Sequence, residues 1–310
     1  MSFTSEIKQE LCYNELKDCC NKAELCGLIE MTSSLSIDNR KWSLVARSEN
    51  PTTAKRIFSL IRKCYSADVE LIMAQKTNLR KNNVYTIKIN EDPINLLTDL
   101  GLYSSKGFLT HPSYTVVQKD CCARAYMAGI FLAYGSCNSP SKSNYHLEIS
   151  LSDEDQANFA IKILSRFNII AKVTKRRGRY VVYIKKADLI SDFLRMIGAQ
   201  ESLMNFENTR INRDFMNSWV RLDNCEIANE VKSISAARKQ VEYMKKIVDS
   251  GKYNTLDDKL RTVIDLRMAH PESSLLELCD HYQKKHGVNI SKSGLKHRLN
   301  KIEAIAKELS

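Results

Sequence analysis

The sequence predicts an α+β protein in which a duplicated αββαββα unit precedes an all-α C-terminal end. Three observations carry this reading. A phrase occurs twice, "DCCNKAELCGLIEMTSS" at 18–34 and "DCCARAYMAGIFLAYGS" at 120–136, offset by 102 positions. Each copy is followed by the same succession of alternating and helix-period stretches, so the repeat is structural and extends beyond the phrase. Beyond about residue 204 the strand-formers thin out and helical periodicity takes over.

The elements follow in order. After the first phrase, "LSI" (35–37) and "WSLVARS" (42–48) read as strands, and "NPTTAKRIFSLIRKCYS" (50–66) as an amphipathic helix. After the second, the corresponding segments are "CNSPSKS" (137–143, a weak strand), "YHLEISL" (145–151) and "SDEDQANFAIKILSRFN" (152–168). Paired strands around a basic turn come next, "VELIMAQKTNLRKNNVYTIKI" (69–89) and "AKVTKRRGRYVVYIKK" (171–186). Each unit closes with a helix that stops at a glycine, Gly101 and Gly198, as expected just past a last helical turn. The domain reading is therefore a duplicated domain over 1–203, with repeats at about 18–102 and 120–199. An Asn- and Arg-rich interdomain segment with some helix follows at 204–234, and a helical domain at 235–310.

In that last domain, "SAARKQVEYMKKIVDSG" (235–251) ends at Gly251. "TLDDKLRTVIDLRMAHP" (255–271) opens with Thr255 and Asp258 at capping-box spacing, and "SSLLELCDHYQKKHG" (273–287) repeats that spacing with Ser274 and Glu277. "SKSGLKHRLNKIEAIAKEL" (291–309) has Ser291 or Ser293 as cap and Leu295, Leu299, Ile302, Ala306 and Leu309 as its apolar face. Two helices joined by "GVNIS" after a bracing helix predict a helix-turn-helix over about 274–307. From Lys284 to Lys301 there are six Lys or Arg and no Asp or Glu. Ser291, Lys292, Ser293, Lys296, His297, Arg298 and Lys301 are the candidate DNA-contacting residues; the alternative is a solvated face on a small helical bundle.

Composition fits a nucleic-acid partner. Lys and Arg number 47 against 36 Asp and Glu, a net +11, which favours a polyanion. With 43% apolar residues the chain can bury more than one core. No stretch approaches the roughly 18 apolar residues of a membrane span, and the N-terminus has no apolar signal core, so the expectation is a cytoplasmic protein without a membrane partner. No cofactor is expected and no small-molecule substrate is evident. Ten cysteines invite a metal reading, but C-x-x-C pairs are absent and His and Cys do not cluster at finger spacings. Adjacent pairs such as Cys19–Cys20 and Cys121–Cys122 make poor common ligands, so the cysteines read as reduced, small, buried hydrophobes and no metal is expected.

The nine-residue stretches "LCGLIEMTS" (25–33) and "MAGIFLAYG" (127–135), with the duplicated element order behind them, resemble the LAGLIDADG homing endonucleases. The resemblance implies two helices crossing at a pseudo-two-fold axis, where Cys26, Gly27, Ala128 and Gly129 let the backbones approach, and two sheets forming a saddle for DNA. It also implies a catalytic metal held by an acid at the eighth motif position. Here those positions are Thr32 and Tyr134, which cannot serve a hard cation that needs carboxylates. Glu30 lies two residues earlier, about 200° around the helix, and its counterpart is Leu132. No catalytic residue and no enzymatic activity are therefore expected; the alternative is a metal-dependent endonuclease with displaced ligands.

The stretch "LRTVIDLRMAHPESSLLELCDHYQKKHGVNISKSGLKHRLNKIEAIA" resembles the helix-turn-helix of sigma factors, with a longer connection at "DHYQKKHGVNIS". The combination, over essentially the whole chain, resembles the WhiA family of bacterial regulators. That resemblance implies a sequence-specific protein of the nucleoid that binds double-stranded DNA and acts in cell division and chromosome segregation, or in sporulation transcription. On the saddle, Lys76, Arg80, Lys81, Lys88, Lys175, Arg176, Arg177 and Arg179 are candidate phosphate contacts. A merely soluble hairpin rim, or a surface for another transcription or division protein, are the alternative uses of those residues.

Overall fold

The computed structural model describes residues 2–38, 41–65, 67–75, 83–142 and 144–309. The chain divides into two compact units, Met1–Arg213 and Asp214–Ser310. The first unit opens with α1 (Phe3–Tyr13), whose Phe3, Ile7 and Leu11 form one buried stripe. The first repeat follows as α2 (Asp18–Thr32), β1 (Ser33–Asp38), β2 (Lys41–Ser48), α3 (Pro51–Tyr65), β3 (Val69–Gln75), β4 (Asn83–Ile89) and α4 (Pro93–Asp99). A small hairpin, β5 (Tyr103–Ser104) and β6 (Gly107–Phe108), and a single 3-10 turn at Tyr114–Val117 lead to the second repeat. This is α5 (Asp120–Tyr134), β7 (Gly135–Cys137), β8 (Leu147–Leu151), α6 (Glu154–Arg166), β9 (Lys172–Arg176), β10 (Arg179–Ile184) and α7 (Ala187–Ile197).

The expected αββαββα order is present twice. Both four-stranded sheets are antiparallel with the same permutation, β1-β2-β4-β3 and β7-β8-β10-β9. In β8 the alternation is complete, with Leu147, Ile149 and Leu151 buried and the residues between them half-buried. The two closing glycines take the left-handed conformation, Gly101 at φ 69° and Gly198 at φ 85°, which stops each helix with little strain.

The weak strand at 137–143 is a correction: the strand is β7, at Gly135–Cys137. It is short because α1 covers it. The Thr4 hydroxyl donates to Cys137 O and accepts from Cys137 N, both at 2.9 Å, so the last residue of the strand finds its partners on a helix.

The helical content expected in 204–234 and the helix expected at 235–251 are joined in one helix, α8 (Gln200–Asp249), which contains no glycine or proline and ends just before Gly251 at φ 74°. Its first turn is capped by Glu10, whose carboxylate accepts from the Glu201 and Ser202 amides at 2.7 and 2.9 Å.

In the second unit, α9 (Asp258–Ala269), α10 (Leu275–His286) and α11 (Lys292–Lys307) enclose a core of Met244, Ile247, Leu260, Val263, Ile264, Leu266, Leu278, Leu295, Leu299, Ile302 and Ala306. The cap of α9 is Asp257 and not Thr255. Thr255 lies in a 3-10 turn where its hydroxyl donates to Lys252 O at 2.8 Å, while the Asp257 carboxylate accepts from Lys259 N. Ser274 and Glu277 form the expected capping box, and Gly287 ends α10 at φ 66°. Buried Arg267 donates to the carbonyls of His270 (3.4 Å) and Ser273, tying down the connection into α10.

Candidate nucleic-acid interface

The two repeats meet at α2 and α5. A methyl group at Gly27 would stand 2.6 Å from Tyr126 O, and one at Gly129 would stand 2.3 Å from Glu24 O. Both contacts are to backbone, and they are equivalent under the 102-residue repeat, since 24 and 27 map onto 126 and 129. The helices can touch this closely only because neither glycine has a side chain. Around the crossing the two halves are chemically unlike. Glu24, with a side chain 2% exposed, pairs with Arg56 through Nε–Oε1 at 2.8 Å and Nη2–Oε2 at 2.9 Å, and Arg56 Nη1 donates to Cys12 O. Its equivalent Tyr126 is buried and donates to Glu30 Oε2 at 2.7 Å.

At the feet of these helices the metal-binding acids of the endonuclease pattern are replaced. The Thr32 hydroxyl donates back to Leu28 O at 2.7 Å. Tyr134 is exposed, and the Arg179 guanidinium lies 4.8 Å from its ring centroid. Glu30 Oε1 is enclosed with no hydrogen-bond partner. Burial pushes the Glu30 carboxyl up to about 7, against the opposing interactions with Tyr126 and Gln156. The carboxyl is turned toward Tyr126, two residues before the motif position that Thr32 occupies.

Of the hairpin cations, Lys175, Arg176 and Arg177 are exposed at the β9–β10 turn. That turn is two residues long, with Arg177 at φ 51° and Gly178 at φ 77°, the left-handed pair that suits the twist of a tight hairpin. Arg179 is drawn away from that rim: it is half-buried, donates to Ser150 O at 3.2 Å and stacks on Tyr134. Lys88 is half-buried and opposite Glu70 in the β3–β4 register. Lys76, Arg80 and Lys81 lie outside the described residues. The outer strand β3 of the same sheet exposes Leu71, Ile72 and Met73, so the two outer strands differ in character.

The α11 surface divides cleanly. Leu295, Leu299, Ile302 and Ala306 face the core, while Lys292, Ser293, Lys296, His297 and Lys301 are exposed. Lys292 and Lys296 form one row at i, i+4, and Ser293, His297 and Lys301 form the next. Lys284, Lys285 and His286 are exposed in the last turn of α10, where cations are favoured by the helix dipole. Two of the candidate residues have other work. The Ser291 hydroxyl caps α11, accepting from Gly294 N at 3.1 Å. Arg298 is half-buried, with Nη1 donating to Tyr282 Oη at 3.3 Å and the guanidinium carbon 5.7 Å from that ring, so it braces α11 against α10.

The cysteines depart from the sequence expectation. Cys20, Cys26, Cys122 and Cys137 are buried, but Cys19, Cys121 and Cys225 are exposed. The crossing of α2 and α5 brings Cys19, Cys20, Cys121 and Cys122 together, with all four sulfurs within 4.8 Å of one another. Spacing along the chain gave no signal for this, because the pairs are 102 residues apart; the repeated "DCC" at the starts of two crossing helices was the available clue. Among the described residues no helix is long and apolar enough to cross a membrane.

Three family models cover most of the chain: the WhiA N-terminal LAGLIDADG-like domain at 18–103, the WhiA LAGLIDADG-like domain at 123–216 and the WhiA C-terminal HTH domain at 220–306. "Probable cell division protein WhiA" of Bacillus cytotoxicus is 41% identical over all 310 residues, covering 97% of that relative. The protein of the same name from Bacillus cereus (strain G9842) is equally similar, at 41% over the same span. Among solved structures, full-length DUF199/WhiA from Thermatoga maritima matches over 100% of this chain and 99% of its own, with a TM-score of 0.59 at 24% identity, a likeness of fold. The N-terminal LAGLIDADG domain of DUF199/WhiA matches 64% of this chain and 90% of its own, with a TM-score of 0.50 at 27% identity.

Proposed function

The chain belongs to the WhiA family, and from that premise we propose that it is a non-enzymatic, sequence-specific binder of double-stranded DNA acting in cell division. The observation that carries the reading is the exposed face of α11. Lys292, Ser293, Lys296, His297 and Lys301 stand free of the apolar stripe, and no acid interrupts residues 284–301. A helix so furnished presents donors to base edges while neighbouring cations meet phosphates. Chromosome segregation and sporulation transcription are the processes this role extends to, and its place of action is the cytoplasm, at the nucleoid.

In the accompanying division of labour, 235–310 supplies base contacts and 1–203 supplies a scaffold with accessory phosphate contacts from Lys175, Arg176 and Arg177. The first sheet favours a second use: exposed Leu71, Ile72 and Met73 suit another transcription or division protein better than they suit phosphate. Replacement of both metal-position acids by Thr32 and Tyr134 speaks against cleavage.

The test is selection from a random duplex pool with the full chain. Enrichment of a shared motif is expected, together with its loss in the Lys292→Ala/Lys296→Ala/Lys301→Ala variant. Equal enrichment by both proteins, or Mg²⁺-dependent nicking of a plasmid, would overturn the reading.

A further inference from the structure

The first turns of α2 and α5 place four thiols from two distant segments in one cluster. Cys19 and Cys20 come from the start of α2, and Cys121 and Cys122 from the start of α5. The four sulfurs lie within 4.8 Å of one another, and each adjacent pair is 3.9 Å apart. In a tetrahedral site with metal–sulfur bonds of about 2.3 Å, the sulfur–sulfur edges are about 3.8 Å. The adjacent pairs already have that spacing, and the remaining edges need only a small contraction. Among the described residues this is also the one group of three or more His, Cys, Asp or Glu side chains with ligand atoms this close.

We propose that Cys19, Cys20, Cys121 and Cys122 bind a single zinc ion that clasps the two repeats together at the starts of their crossing helices. Four thiolates and no oxygen ligand select a soft, tetrahedral ion over Mg²⁺ or Ca²⁺. The charge balances: binding releases the four thiol protons, leaving a complex of net charge −2. Its surroundings are suited to that charge. Both helices start at a lysine, Lys17 and Lys119, that makes no side-chain cap, so the sulfurs sit at the positive end of two helix dipoles. A surface cleft that reaches Cys20 and Cys121, lined by Lys17, Arg124 and Arg195 as well as Glu15 and Glu24, gives an ion a way in.

Cys19 and Cys121 are exposed, which a purely apolar role does not explain, while Cys20 and Cys122 are buried and anchor the site. With four protein ligands the site is closed, so its role is structural and not catalytic. The clasp sits about two helical turns from the Gly27–Gly129 crossing, and joins the same two helices by a second means. This inference is independent of the DNA-binding proposal.

The test uses the full chain, purified under reducing conditions and stripped of metal, titrated with Co²⁺ and then Zn²⁺. The expected result is an intense visible spectrum of tetrahedral thiolate-bound cobalt that saturates at one equivalent, is bleached by one equivalent of Zn²⁺, and is accompanied by a rise in Tm. Cys19→Ser/Cys121→Ser alters only the exposed pair; it should fold, give no such spectrum, and show no rise in Tm on adding zinc. Cys225→Ser should behave as the unsubstituted protein. Wild-type titration alone decides the matter should the double variant not fold. Absence of the cobalt spectrum from folded wild-type protein, its persistence in the double variant, or a Cys20–Cys121 disulfide forming as fast with zinc as without it would each overturn the proposal.

Discussion

The α2–α5 crossing and the outer face of α11 are built on opposite chemistries. At the crossing the decisive residues are the smallest ones, Gly27 and Gly129, and the polar groups nearby are turned inward: Glu24 to Arg56, Glu30 to Tyr126, Thr32 to its own helix. On α11 the apolar residues are turned inward and five polar or cationic ones are left to solvent. On α11 the exposed Lys292, Lys296 and Lys301 face solvent, whereas at the crossing Glu24, Glu30 and Thr32 are bonded within the chain.

The largest effect should come from the crossing itself. Gly129→Ala puts a methyl group 2.3 Å from a backbone oxygen, so the helices must separate, at about 3 kcal/mol or more. Gly27→Ala, at 2.6 Å, should cost slightly less. Thermal and urea unfolding of both variants check this; a loss below about 0.5 kcal/mol, the range of an ordinary surface change, would break the comparison at its first term.

Next is the buried pair. Glu24→Gln leaves the Arg56 guanidinium without its counter-charge and should cost about 3 kcal/mol. Glu24→Met combined with Arg56→Met should cost less than either single change, because it removes both charges together. A double-mutant cycle with additive terms would show that the pair is not coupled.

Glu30 gives a smaller, pH-dependent effect. Its folded-state pKa is raised to about 7 from an ordinary 4.5, so the folded state holds the proton more tightly than the unfolded one. The associated stability is fully present below about pH 4.5 and is lost as pH rises through about 7, by about 1–3 kcal/mol. Glu30→Gln should flatten this window and leave DNA binding unchanged. Mg²⁺-dependent stabilisation of the wild type that disappears in this variant would instead restore a cation to the helix foot.

Much of the fold was legible in the sequence because its signals are local. Alternation at 147–151, the glycines at 101 and 198, and the Ser274–Glu277 box each act within a few residues. What escaped depends on partners far along the chain. Strand β7 has no local signal, because its last residue is satisfied by Thr4. The continuity of α8 has none either, because exposed Phe215, Met216, Trp219 and Val220 blur its apolar stripe. On α11 the cations were legible, but which of them were free was not. Arg298 and Ser291 have the right chemistry for DNA and are engaged by Tyr282 and Gly294. The Glu24–Arg56 pair and the cysteine cluster had no local signal, because tertiary packing alone creates them.

The central claim, that α11 reads sequence while the hairpin rim only holds phosphate, is tested most directly by salt-dependent binding to the selected duplex and to a random duplex. Lys296→Ala should lose about 1–3 kcal/mol of discrimination between the two. Arg177→Ala should weaken both equally and lower the salt slope by about one. Equal losses on both duplexes for Lys296→Ala, or a loss of discrimination in Arg177→Ala, would contradict the account.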